Sequence, residues 1–411
     1  MIKRMRIDNF KSLNNFEICL YPATFIIGAN ASGKSTMLNA LLFLKYICTE
    51  STTAYLDKHQ LTVSDICSKL SKKKTISFSV IFDFHSMEIS WDIEFIANKT
   101  DNTLVLSYEK ISDGNKTLLL YSYTTRTPAF SAQGEPLSQQ KTHLTKSYRL
   151  NEFTGEQEKI VSGEYKQSHL GIIGKDSTRE YSGLCLVKSF FDATESFDLL
   201  SPKDMRESAR GNKISIGRYG ENLAAFIKGL NTEEREELIS TMRSIFPNIS
   251  DVKSVVRGRP GWAYIEVEEK FTGQNVSVSS RNVSDGMIRL IAFFAMKYHK
   301  NHGGLTLLDE IENGINSEVM ERLLRSFQEN SAANQQQFIA TTHNTVLLDY
   351  IDPGSILYLS RDNLGNTKVY NPFSRSPIRE KLDFMYPGEI ILNTPNNELD
   401  VLADGDWGND C

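Results

Sequence analysis

Three short stretches of this chain combine residue types that could do chemistry together. The first is GANASGKS (Gly28–Ser35), which fits G-x-x-x-x-G-K-[ST] at every fixed position. Gly28 and Gly33 let backbone N–H groups curl around phosphate oxygens with no Cβ in the way. Asn30, Ser32 and Thr36 belong to the same cradle. Lys34 supplies a mobile cation for the β- and γ-phosphates, and the Ser35 hydroxyl suits Mg²⁺. The second stretch is LTLLDE (Leu305–Glu310), an apolar run ending in two carboxylates. One acid there could be a helix cap. Two adjacent acids downstream of a phosphate loop favour divided roles. Asp309 would hold Mg²⁺ through water, and Glu310 would orient or deprotonate the attacking water. The third stretch, IATTHN, places His343 at the end of another apolar run. A lone histidine is more often structural. Here it follows a strand predicted to neighbour that of Asp309, which would bring it to the C-terminal edge of a parallel sheet. A histidine there can donate a hydrogen bond to a γ-phosphate.

A fourth stretch, VSDGM (Val283–Met287), stands before the apolar run MIRLIAFFAM. Ser284 reads as a helix N-cap. The same Ser-Asp-Gly triplet recurs in KISDGNKT (Lys110–Thr117) between two strand-like runs, where Asp113-Gly114 predicts a hairpin turn. The triplet alone therefore signals nothing. At Ser284–Gly286 the context differs, because a following helix points free N–H groups and a favourable dipole at an anion.

These residues need a framework, and the pattern of the chain supplies one. The apolar run FII precedes the phosphate loop and the helical stretch KSTMLNALLFLKYI (Lys34–Ile47) follows it. Alternation at period two marks ISFSVIFDF (Ile76, Phe78, Val80, Phe82, Phe84) and EISWDIEFI (Ile89, Trp91, Ile93, Phe95) as antiparallel strands, with a turn at His85–Met87. TLVLSYEKI and KTLLLYSY form a second such pair. From Thr125 to Gln167 the chain is polar and weakly patterned, and reads as loops. YGENLAAFIKGL and NTEEREELISTMRSIF are helical, the latter with Asn231 as N-cap and Glu234 three residues on. AYIEVEE and NVSVSS resemble a hairpin. From Asp285 onward helices alternate with the strands LTLLDE and QFIATTH, and a final hairpin, SILYLSRDNLGNTKVY, precedes an irregular acidic tail.

Composition narrows the classes. A net charge of −5 gives no bulk attraction to nucleic acid. Five cysteines without C-x-x-C spacing argue against a zinc site or a disulfide framework. With no long apolar run and no signal-peptide core, the expectation is a cytoplasmic protein away from membranes.

Taken in order, these motifs resemble the ABC-type P-loop ATPases of the RecF and SMC group. IDNFKSL near the start is similar to that group's opening strand and turn, with Lys11 where the family often places a basic residue near the phosphates. VSDGM resembles its signature LSGGQ, with Val for Leu, Asp for the first Gly and Met for Gln. IENGIN (Ile311–Asn316) looks like the D-loop, and GENLAAFI (Gly220–Ile227) resembles a segment of the subgroup. The S-D-G form is similar to the AAA-type core ATPases of prokaryotic antiphage systems and to overcoming-lysogenisation proteins, here without a recognisable Toprim domain.

The resemblance implies an α/β fold: an ABC-ATPase head with a mixed, largely parallel P-loop sheet, an antiparallel β subdomain and a helical signature lobe. The expected divisions are 1–125 (P-loop and antiparallel β part), 126–280 (insertion and helical lobe), 281–370 (signature helix, acid pair and switch histidine) and 371–411 (tail). It further implies ATP and Mg²⁺ as cofactors, with Lys34, Glu310 and His343 catalytic and Ser35 and Asp309 on the metal. A head-to-tail homodimer, or a higher oligomer, would place Ser284 and Gly286 on the γ-phosphate of the ATP held by the partner. The expected role is an ATPase switch regulating a separate effector, a nuclease or toxin, in antiphage defence. The alternative is a RecF-like DNA repair ATPase. For that reading the basic stretches SKKK (Ser71–Lys74) and RSPIREK (Arg375–Lys381) leave nucleic-acid binding open.

Overall fold

The computed structural model describes residues 1–400 except 86, 124–146, 162, 175–176, 199–200, 259–260, 300–302, 313–314, 316, 335, 375 and 396–397. Part of the IENGIN stretch, Arg375 and the acidic tail beyond Asp400 therefore lie outside the described residues, as does the first half of the weakly patterned insertion.

A six-stranded sheet runs through the centre in the order Glu195–Phe197, Leu305–Leu308, Gln337–Thr341, Ala23–Ile27, Ile356–Arg361, Thr367–Tyr370. The first five strands are parallel and the last turns back antiparallel. Leu305–Leu308 and Gln337–Thr341 are buried at every position, as expected where both faces of a parallel sheet are covered. Successive side chains nevertheless enter different cores. Ile26, Leu307 and Ile339 join one core, while Phe25, Ile27, Leu308 and Phe338 join the other.

The first core lies between this sheet, the helix Lys34–Thr49 and an eight-stranded antiparallel sheet. In that sheet Thr75–Asp83 pairs with Glu88–Asn98, and Ile76, Phe78, Val80, Phe82, Ile89, Trp91, Ile93 and Phe95 all point inward. Phe84 lies past the strand end and is only half-buried. The recurrent triplet closes the hairpin between Thr103–Asp113 and Lys116–Ser122, with Gly114 at φ +51°. The insertion read as loops contributes two short strands, Tyr148–Leu150 and Gln157–Lys159, that extend this sheet. Three residues are too few to show a period.

The second core gathers the helix Asp285–Ala295, the helix Thr232–Ile245 and the helix Leu223–Lys228 beneath the other sheet face. Asn231 and Glu234 form the expected reciprocal cap, at 2.9 Å in each direction. A three-stranded sheet joins Ile249–Arg257 to the expected hairpin Trp262–Phe271 and Gln274–Ser279.

One expectation needs correction. The stretch after the last hairpin is not irregular throughout: Ile378–Lys381 and Pro387–Asn393 are helical. The latter packs on the turn Thr345–Tyr350, where the Gly388 N–H donates to Asp349 Oδ1 at 2.7 Å. The Tyr370 hydroxyl donates to the Leu399 carbonyl at 2.7 Å. Cys48, Cys67 and Cys185 are buried free thiols. No helix among the described residues is long and apolar enough to cross a membrane.

Candidate functional site

Because the central strands are parallel and in register, the residues that follow them emerge at one edge. Thr341 pairs with Ile26, and Leu308 with Ala340. The phosphate loop, the acid pair and the switch-histidine loop therefore lie side by side.

The phosphate loop is pressed against the terminal hairpin. Gly28 (φ +146°) comes so close that a Cβ would lie 2.1 Å from the Leu359 carbonyl oxygen. At Gly33 (φ +115°) a Cβ would lie 2.4 Å from Thr367 Oγ1. Thr367 Oγ1 donates to the Ser32 carbonyl at 3.0 Å, and Arg361 Nε to the Ala31 carbonyl at 2.7 Å. Sequence reasoning missed both supports, which stand more than 300 residues from the loop. Lys34 Nζ donates to the carbonyls of Gly28 (2.9 Å) and Ala29 (3.0 Å). Burial lowers the pKa of this ammonium, while Asp309, Glu310 and Glu312 raise it. The lysine and the acids thus share one electrostatic site.

Phosphate groups fit this arrangement. Gly33 begins the helix without a side-chain cap, so the first-turn N–H groups, Ser35 and Thr36 among them, have no capping side chain. Ser32 Oγ is buried with no hydrogen-bond partner among the described residues. Ser35 and Asn30 are exposed at the mouth of the loop.

Asp309 and Glu310 are half-buried beside the strand Gln337–Thr341. Thr341 Oγ1 donates to Asp309 Oδ1 and accepts the Glu310 N–H at 2.8 Å. Glu310 itself stands at φ +51°. His343 is exposed, and its N–H donates to Glu312 Oε1 at 2.6 Å. His343, Gly28 and Ala29 line one cavity of about 350 Å³, whose lining also includes Ile391, Thr394 and Pro395.

Ser284 caps the helix Asp285–Ala295, accepting the Met287 N–H at 3.3 Å. It is exposed, and Gly286 is half-buried. Asp285 pairs with Arg206 at 2.5 Å. Among the described residues no hydrogen bond joins Ser284 to the phosphate loop. Lys11, at φ +51°, donates its N–H to the Ile66 carbonyl at 2.8 Å. Burial lowers its pKa, with Asp65 opposing. Among the described residues it makes no hydrogen bond to residues 28–35.

The family profile described as "AAA domain, putative AbiEii toxin, Type IV TA system" matches residues 23–349. The chain belongs to this AAA-domain family. Its fold is that of the SMC head. It is similar to an SmcHead solved with the C-winged helix domain of ScpA, at 17% identity and a TM-score of 0.50, covering 90% of this chain and 96% of that one. It is also similar to the Smc head of Pyrococcus furiosus, solved with an extended coiled coil and the C-terminal domain of ScpA. There the identity is 14% and the TM-score 0.50, over 93% and 99% of the two chains. No curated protein matches the chain. The P-loop ATPase head inferred from the motifs is thus the fold of this AAA-domain protein.

Among the described residues of this family member, no three His, Cys, Asp or Glu side chains cluster as a metal cage. A divalent ion would rest on Ser35, Asp309 and the oxygens of its nucleotide, the usual manner for Mg²⁺ beside phosphates. Sequence reasoning also missed Thr341, Glu312 and Arg206. The only available signal was a threonine pair ending an otherwise apolar strand.

Proposed function

We propose that this chain binds and hydrolyses Mg-ATP, and that two copies close head to tail around two ATP molecules. Closure would then signal to a separately encoded effector, a nuclease or toxin, in antiphage defence. One observation carries the ATPase reading. Lys34, inside an uncapped phosphate loop, is coupled electrostatically to Asp309 and Glu310 at the edge of the same sheet. Mg²⁺, when bound, would neutralise phosphate charge, while Glu310 orients the attacking water and His343 faces the loop across their shared cavity. The dimer reading is supported by Ser284, an exposed helix N-cap that among the described residues makes no hydrogen bond to its own phosphate loop. The effector reading draws on the toxin–antitoxin wording of the family description.

Glu310→Gln tests the core of this proposal. It should retain ATP binding, lower turnover about a hundredfold or more, and accumulate dimers in sedimentation at saturating Mg-ATP. A monomeric Glu310→Gln protein under those conditions would contradict the sandwich. Ser284→Arg should abolish turnover yet leave ATP binding by the monomer unchanged. Loss of that binding would place Ser284 in cis.

A further inference from the structure

We infer that Thr341 is a positioning residue for the hydrolytic acids, a role that rests on the ATPase reading above. This one residue holds three consecutive residues of the opposite loop. Its hydroxyl donates to Asp309 Oδ1, the same oxygen accepts the Glu310 N–H at 2.8 Å, and its carbonyl accepts the Ile311 N–H at 3.1 Å.

The polarity of the first bond follows from counting protons. A hydroxyl has one hydrogen. Since Thr341 Oγ1 accepts from Glu310, its own hydrogen is available for the Asp309 carboxylate. Asp309 Oδ1 is thereby held by the sheet, so Oδ2 is the oxygen that would be left to hold a metal ion through water. The second bond secures an unusual backbone. A non-glycine residue at φ +51° is uncommon and costs free energy unless its surroundings hold it. Glu310 is that residue, and the bond to Thr341 sets the direction in which its carboxylate leaves the chain.

Packing alone does not call for a hydroxyl here. Thr341 is fully buried in an apolar strand, where valine would fill the same volume without a polar atom to desolvate. The adjoining Thr342 shows the contrast. It is equally buried, but among the described residues its Oγ1 makes one hydrogen bond, accepting the Asn344 N–H at 3.1 Å in a local turn. Because an attacking water must be placed to within a fraction of an ångström, a small rotation of Glu310 is costly to turnover and nearly neutral to nucleotide binding.

The test compares Thr341→Val and Thr341→Ser in the full chain. Thr341→Val should bind mant-ATP within about twofold of the parent, keep KM, and lose roughly ten- to a hundredfold in kcat. Thr341→Ser should recover kcat to within a few-fold, because the hydroxyl is restored while a methyl is lost. A readout independent of turnover is Mn²⁺ affinity in the presence of ATPγS, followed by electron paramagnetic resonance. Thr341→Val should weaken it several-fold and Thr341→Ser should not. Parent-like kcat and Mn²⁺ affinity in Thr341→Val would overturn the inference, as would a Thr341→Ser variant as impaired as Thr341→Val. A parent protein that hydrolyses no ATP would sink the ATPase reading instead, while the Mn²⁺ comparison would still judge the role of Thr341.

Discussion

Arg206 and Asp285 form an ion pair at 2.5 Å beside the helix cap that carries Ser284. On the signature reading, Asp285 stands where LSGGQ-type motifs have glycine, and its carboxylate meets Arg206. The same guanidinium donates to the carbonyls of Ser280 (3.0 Å) and Val283 (2.7 Å), so it fastens the segment leading into the cap from outside.

The two partners should therefore respond differently to truncation. Asp285→Ala should cost less than about 1 kcal/mol in urea denaturation, because its side chain is 68% exposed and water screens the pair. Arg206→Ala leaves two carbonyls without their donor and loosens the approach to Ser284. It should lower ATP turnover about tenfold or more, since small displacements of a positioned group are expensive. Equal effects of the two variants on turnover would show that only the ion pair matters.

A buried acid should dominate the stability of the antiparallel sheet. Glu109 is fully buried and accepts from Trp91 Nε1 at 3.0 Å, from Ser168 Oγ and from the His169 N–H at 2.8 Å; His169 Nδ1 lies 2.9 Å away. Glu109→Ala strands all of these groups in the interior. The expected loss is about 3–5 kcal/mol, readable as a shift in urea midpoint. Since the network lies in the first core and not on the phosphate loop, mant-ATP affinity of the folded fraction should be unchanged.

His59 provides a pH test. Burial first, and then the positive charges of Arg218, Lys58 and Lys11, hold its pKa down at about 4. The folded protein thus keeps this imidazole neutral, whereas the unfolded chain protonates it near 6.5. Between those values the unfolded state binds more protons, so stability falls as pH drops through that window and is unaffected above it. Thermal melts from pH 7.5 to 4.5 should show a steeper decline for the parent than for His59→Gln. A His59 ring that titrates near 6.5 by NMR would refute the assignment.

Much of the fold was readable from local pattern. Period-two alternation located the strands Thr75–Asp83 and Glu88–Asn98 and their buried faces. The Asn231–Glu234 cap and the Asp113-Gly114 turn followed from side-chain chemistry within a few residues. Elements that were too short were missed, such as Tyr148–Leu150. So was the helix Pro387–Asn393, whose buried partner is the distant turn after His343.

By itself the sequence determined the chemical types and their local settings: a glycine-rich loop before a helix, two acids ending a strand, and a capped apolar helix after Val283. Those depend on φ/ψ freedom, hydrogen-bonding groups and periodicity, all of which act over a few residues. Only the tertiary structure decided which groups meet. It set Thr341 on Asp309 and Glu310 across 31 to 32 residues, Arg206 on Asp285 across 79, and Thr367 on the phosphate loop across 335. Such pairings arise from strand order and register, which bring together residues whose separation along the chain carries no distance information.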